Sequence, residues 1–196
     1  MLALVTDDPR DARELDDVTL ARAKTHDAKA FRVLIETYQD AVFALLARFL
    51  GRHAQAAVIE DLAQETFVGV YRSLPRFEAR GAAKLSTWIL TIAARTALKE
   101  RRRPASNART VNAMTEPLVS PARTDQRIEQ RAVGDAIARA LANLGEPYRV
   151  VFLLREYHDF DYREIATALE IDLGTVKSRL ARAREQLRTA LKELAP

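Results

Sequence analysis

Near the C-terminus, Thr175, Lys177, Ser178, Arg179 and Arg182 gather hydroxyl and cationic side chains within eight residues. On a helix, Thr175, Ser178, Arg179, Arg182 and Gln186 share one face, opposite a stripe of Val176, Leu180, Ala183, Leu187, Leu191 and Leu194. Hydroxyls and guanidinium groups are the donors that reach base edges and phosphates in the major groove. A second helical face carries Trp88, Thr91, Arg95, Lys99 and Arg102, an aromatic among cations, as single-strand binders have. An aromatic at helical spacing more often fills a packing slot, and that is the expectation for Trp88. Asp61, Gln64 and Glu65 form an acidic and polar i, i+3, i+4 face that taken alone reads as solvated surface. Nothing comparable supports catalysis. His26, His53 and His158 are isolated, and no glycine-rich phosphate loop or metal-ligand spacing occurs. Cysteine is absent, which excludes disulfides, thiolate metal sites and thiol chemistry. No catalytic residue, metal or cofactor is expected.

The elements that must position these faces read as helices. Alternating β-branched runs and Asn-Gly or Asp-Gly turns are missing, and alanine is abundant. A short helix is expected over 18–24. Asp27 then caps a long one with Phe31, Leu34, Ile35, Tyr38, Val42, Leu45, Leu46 and Phe49 at three- and four-residue steps, ended by Gly51. Another runs over 54–74, with Ile59, Leu62, Thr66, Val70 and Leu74 inward and Pro75 as its stop. After a loop over 76–85 comes a third, 86–103, with Ser86 or Thr87 as its cap. Residues 104–126 hold Pro104, Pro117 and Pro121 among Ala, Ser, Thr and Asn, the texture of a flexible linker. The second module begins with a helix burying Ile128, Val133, Ile137 and Leu141, then one opened by Pro147. A short helix over 161–169 with a near capping box, Asp161 to Glu164, and a longer basic helix over 172–194 complete a helix-turn-helix shape. The fold class expected is all-α, with two small helical domains, 18–103 and 127–196, behind an acidic N-terminal tail, 1–17.

Charge is segregated along this plan. The formal net charge is only +4. Residues 1–20 hold six acids and two bases, a net of −4, whereas 95–109 and 173–192 each hold six bases and one acid, a net of +5. Two basic blocks on separate modules point to a polyanion partner. The longest apolar run, 41–47, is too short to span a bilayer, and residues 1–5 run into Thr6-Asp7-Asp8-Pro9 without a cationic lead, so no signal peptide is expected; a soluble cytoplasmic protein is expected.

Longer patterns carry a resemblance. Glu60-Asp61-Leu62-Ala63-Gln64-Glu65-Thr66-Phe67, Phe77, Ser86-Thr87-Trp88-Ile89 and Ile92-Ala93-Ala94-Arg95 resemble region two of the sigma-70 family. Tyr162-Arg163-Glu164-Ile165-Ala166 with Gly174-Thr175-Val176-Lys177-Ser178-Arg179-Leu180-Ala181-Arg182-Ala183-Arg184 resembles region four. With these two regions alone, the chain resembles the extracytoplasmic-function subfamily. The resemblance implies an alternative sigma factor that binds core RNA polymerase and directs it to promoter DNA. It implies that Asp61, Gln64 and Glu65 dock on the clamp helices of the largest subunit. Arg80, Lys84, Ser86, Thr87 and Trp88 would capture a flipped minus-ten base, and Arg95, Lys99 and Arg102 would supply a cationic rail. Thr175, Lys177, Ser178, Arg179 and Arg182 would read the minus-thirty-five element, beside the flap of the second-largest subunit. Members of the subfamily are commonly held by an anti-sigma protein, often membrane-anchored. The chain departs from the family at Thr96, where Asn is frequent, and at Asp172, where Pro is frequent. A freestanding helix-turn-helix regulator would explain 161–194 but leave the first module without a role.

Each basic block offers about six cations. Binding to promoter DNA is therefore expected to weaken about a thousandfold between 50 and 200 mM salt, read as the slope of log K against log salt by fluorescence anisotropy. A flat response would contradict a phosphate-dominated contact.

Overall fold

In the computed structural model, residues 14–51, 54–78, 84–102 and 125–192 are described, with the backbone alone for 125–133. The acidic tail before Glu14, Arg80, most of the linker and the side chains of Ile128 and Val133 lie outside them. Eight α-helices are present among the described residues: α1 (Asp17–Lys24), α2 (Ala28–Leu50), α3 (Ala56–Ser73), α4 (Leu85–Arg101), α5 (Asp125–Asn143), α6 (Glu146–Glu156), α7 (Tyr162–Leu169) and α8 (Leu173–Lys192). A 3-10 turn, Leu74–Arg76, follows α3. The all-α class holds. Among the described residues, no helix is long and apolar enough to cross a membrane.

Local chemistry sets most boundaries. Asp16 accepts from the Thr19 N–H and Asp27 from Lys29 and Ala30, which occupies donors that the first turns of α1 and α2 leave free. Gly51 ends α2 at φ 83°, a conformation that a side chain would strain. Pro75 opens the 3-10 turn rather than simply stopping α3. Pro147 lies in the first turn of α6, where its missing N–H costs nothing. Asp161 and Glu164 complete a reciprocal capping box on α7.

The long helix α2 is the hub. It packs on α1, α3 and α4 and reaches α5 and α6. Its buried stripe, Leu34, Tyr38, Val42, Leu45, Leu46 and Phe49, meets Leu62 and Val70 of α3 and Ile89 and Ala93 of α4 in one apolar core. Thr66, on the inward stripe of α3, is fully buried and satisfies its hydroxyl by donating to the Leu62 carbonyl at 2.7 Å. In the second group of helices, α8 lays Val176, Leu180, Ala183 and Leu187 against α5, α6 and α7.

Arg149 joins the two groups. Only 5% exposed, it donates to the Phe49 carbonyl at the end of α2 at 2.6 Å, to the Leu144 carbonyl at 2.7 Å and to the Ala142 carbonyl. The Phe49 and Ala142 carbonyls lie in the last turns of α2 and α5, where a helix leaves its carbonyls free, and Leu144 follows the end of α5. Nearby, Arg48 of α2 lies over the Tyr157 ring, 4.7 Å from its centroid.

Burial, and then the Arg48 charge, push the His158 pKa down to about 4. The unfolded chain binds this proton below about pH 6.5 and the folded chain does not, so stability falls as pH drops from 6.5 toward 4. The loss is at most about 3 kcal/mol at about 1.4 kcal/mol per pH unit. The lowered Asp16, Asp27 and Asp172 act only below the ordinary carboxylate range. Urea titrations between pH 7 and 4.5 should show a sloping stability in the native chain and a flatter one in His158→Phe.

Candidate nucleic-acid interface

The α7–α8 pair carries the C-terminal set. After α7 the backbone turns through Glu170 in the left-handed region, φ 55°. Asp172 then accepts from the Thr175 N–H at 2.8 Å and the Thr175 hydroxyl at 2.5 Å. The residue that departs from the family's frequent Pro is thus the cap of α8, and its carboxyl is held below the usual range by these bonds. Lys177, Ser178 and Arg182 are exposed, and Thr175 and Arg179 half-buried. Ser178 donates to the Thr175 carbonyl at 3.0 Å. The five residues therefore lie outward from the buried stripe, with the Thr175 hydroxyl committed to Asp172. Arg184 is different: its guanidinium is bound to Glu156 of α6 at 2.6 and 3.1 Å, which raises its pKa.

On α4, the sequence expectation of a Ser86 or Thr87 cap is not met. The helix begins one residue earlier, the cap position is Lys84, and Lys84 supplies no capping oxygen. Trp88 is half-buried and packs on Phe77, ring centroids 4.9 Å apart, the packing role expected of it. Thr87 donates to Glu164 of α7 at 3.4 Å. Arg95 donates to the Ala168 and Thr167 carbonyls at the end of α7, at 2.8 and 3.0 Å, and pairs with Glu170 at 3.1 Å. Arg95, Lys99 and Arg102 line a shallow hollow of about 240 Å³ with Leu169 and Glu170. Thr87 and Arg95 thus already hold partners on α7.

On α3, Asp61 and Gln64 are exposed and Glu65 is half-buried. Glu65 pairs with Lys99 at 3.1 Å, so the acidic face and the rail touch across α3 and α4. Val68, one turn beyond Gln64 on this face, is 42% exposed. Sequence reasoning passed it over, although an apolar residue at i+7 from Asp61 on an acidic face was the available sign.

Residues 34–106 match sigma-70 region 2, and residues 134–187 match sigma-70 region 4. The chain belongs to the sigma-70 family. Similar relatives include the RNA polymerase sigma-H factor of Pseudomonas aeruginosa, 34% identical, covering 93% of this chain and 96% of that one. The extracytoplasmic-function sigma-E factor of Haemophilus influenzae is 31% identical over 93% of this chain and 99% of its own. Together they make the chain an extracytoplasmic-function sigma factor, an alternative sigma that directs core RNA polymerase to promoters. The fold is shared with CnrH in its complex with the cytosolic domain of CnrY, at TM-score 0.62 and 24% identity over 94% of this chain and all of that one. It is shared also with RpoE bound to the anti-sigma factor NepR from Bartonella quintana, at 0.60 and 23% over 84% and 98%.

Asp172→Ala removes the carboxylate that caps α8. It should lower the melting temperature measurably, as the loss of an N-cap does. It should also free the Thr175 hydroxyl, changing affinity for a duplex minus-thirty-five site without changing affinity for core polymerase.

Proposed function

We propose that 18–103 and 127–196 work as separate domains of this sigma factor, each with its own partner surface. Asp61, Gln64 and Glu65, joined by Val68, form the face for the clamp helices of the largest polymerase subunit. An apolar residue flanked by carboxylates suits a basic helical partner better than a purely charged face would. Lys84, Ser86, Thr87 and Trp88, with Arg80 of the preceding loop, hold the minus-ten strand open, and Arg95, Lys99 and Arg102 follow its phosphates. Thr175, Lys177, Ser178, Arg179 and Arg182 read the minus-thirty-five duplex, the second domain resting on the flap of the second-largest subunit. The protein is a binding factor, not an enzyme, and acts in the cytoplasm. An anti-sigma protein restrains it; the RpoE that shares its fold was solved in complex with an anti-sigma factor.

The observation that carries this reading is the exposed cationic face of α8 opposite its buried stripe, on the stretch that matches region 4. Geometry adds a requirement. The two promoter elements lie about 25 base pairs apart, about 85 Å of duplex. A compact body of this size measures only about 40 Å across. The domains therefore part on the promoter, and the chain between α4 and α5 can reach about 80 Å when extended. Parting releases Thr87 and Arg95 from α7. The ion pairs that break with it are surface pairs worth little each, so phosphates can replace them.

Asp61→Arg with Glu65→Arg should lower affinity for core polymerase at least about thirtyfold, as charge reversal at an interface does, with the fold intact by circular dichroism. Tight, sequence-specific binding of duplex DNA by the chain alone, indifferent to this double substitution, would instead identify a freestanding regulator.

A further inference from the structure

The first turn of α4 has a cap, but it comes from elsewhere in the chain. Glu14 stands 71 residues before Leu85, yet its Oε2 accepts from the Leu85 N–H at 3.2 Å and its Oε1 from the Ser86 N–H at 3.4 Å. The Ser86 hydroxyl donates to the same Oε1. Tyr38 of α2, 1% exposed, donates its hydroxyl to Glu14 Oε2 at 3.3 Å and accepts from the Leu15 N–H at 3.0 Å. Burial first, and the Glu14 charge with it, push the Tyr38 phenol well above its ordinary pKa, so it remains the donor. One carboxylate thus takes four donors, three of them on α4 and the fourth rooted in the core.

These donors lie where the family reading places minus-ten recognition. Lys84, Ser86, Thr87 and Trp88 all sit on or beside the turn that Glu14 binds. A helix whose own cap residue lacks a suitable oxygen frays at that end, and a frayed first turn cannot hold base-contacting groups in register. The rail residues Arg95, Lys99 and Arg102 sit two to four turns further on, where the helix is held by its own ladder and by packing on α2 and α3.

We propose that Glu14 is a positioning residue for minus-ten recognition, fixing the first turn of α4 from the N-terminal segment so that Ser86 and Thr87 face the unpaired strand. It touches no DNA. Its effect is on base discrimination rather than on phosphate affinity, because base contacts specify and phosphate contacts only hold. This rests on the reading of α4 as the minus-ten element of the factor.

The test uses holoenzyme reconstituted from the full chain and core polymerase. The probe is a single-stranded DNA selected from a randomised pool by the wild-type holoenzyme, set against its base-scrambled counterpart. Glu14→Ala should lower affinity for the selected strand about tenfold and leave the scrambled strand and core binding unchanged. Glu14→Gln, which keeps one acceptor oxygen, should fall between. Tyr38→Phe should have a small effect alone and none added to Glu14→Ala, since both act through one carboxylate. Equal losses for both strands in Glu14→Ala and Glu14→Gln, following their melting temperatures, would overturn the proposal by showing a purely structural role. Discrimination lost in Thr87→Ala but kept in both Glu14 variants would overturn it while sparing the α4 reading. Discrimination that survives both Thr87→Ala and Ser86→Ala would overturn that reading and the proposal with it.

Discussion

A helix leaves its last carbonyls without partners, and in this protein two arginines supply them from across the boundary between the helix groups. Arg149 of the second group binds the end of α2, and Arg95 of the first binds the end of α7. Cations at helix C-termini also complement the helix dipole, so each contact is favoured twice over. The two differ in setting. Arg149 is buried and also binds carbonyls of its own group, so it can surrender the Phe49 carbonyl and keep its other partners. Arg95 is half-exposed, with water and phosphate as ready alternatives. The docked arrangement is built from contacts that are specific in geometry and individually replaceable.

The small net charge of +4 conceals how the ionic groups are used. Three cations of the first basic block and one of the second are already paired inside the chain: Arg95 with Glu170, Lys99 with Glu65, Arg101 with Glu146, and Arg184 with Glu156. Acids drawn from α3, α6 and the α7 end hold the cations in defined places without neutralising the exposed face of α8. A surface pair contributes little to stability. Its consequence here is that a polyanion meets cations already oriented and gives up little in displacing their partners.

Legibility followed sequence distance. The caps of α2 and α7, the Gly51 stop and the buried stripes of α2, α3 and α8 depend on neighbours within a turn or two, and periodicity with cap chemistry was enough to find them. Asp172 was visible as an anomaly, and the structure makes it a local cap. The α4 boundary was misplaced because its capping carboxylate lies 71 residues upstream, beyond the range of any local pattern. The Arg95 and Arg149 clasps were hidden for the same reason: a guanidinium that binds carbonyls has no sequence partner to search for. Of the site residues, those on α8 could be read from alternation of burial and charge, while Val68 needed the exposed surface of α3 to be seen.

The helix groups docked in the free chain are expected to separate on the promoter. A chain without cysteine can take two labels cleanly, and Glu36→Cys on α2 with Thr189→Cys on α8 place both on exposed positions that take no part in the clasps. Distance distributions by pulsed electron paramagnetic resonance should show one short population, within about 40 Å, for the free chain. Bound to core polymerase and promoter DNA, the distance should lengthen by tens of ångströms. An unchanged short distance in that complex would contradict the account.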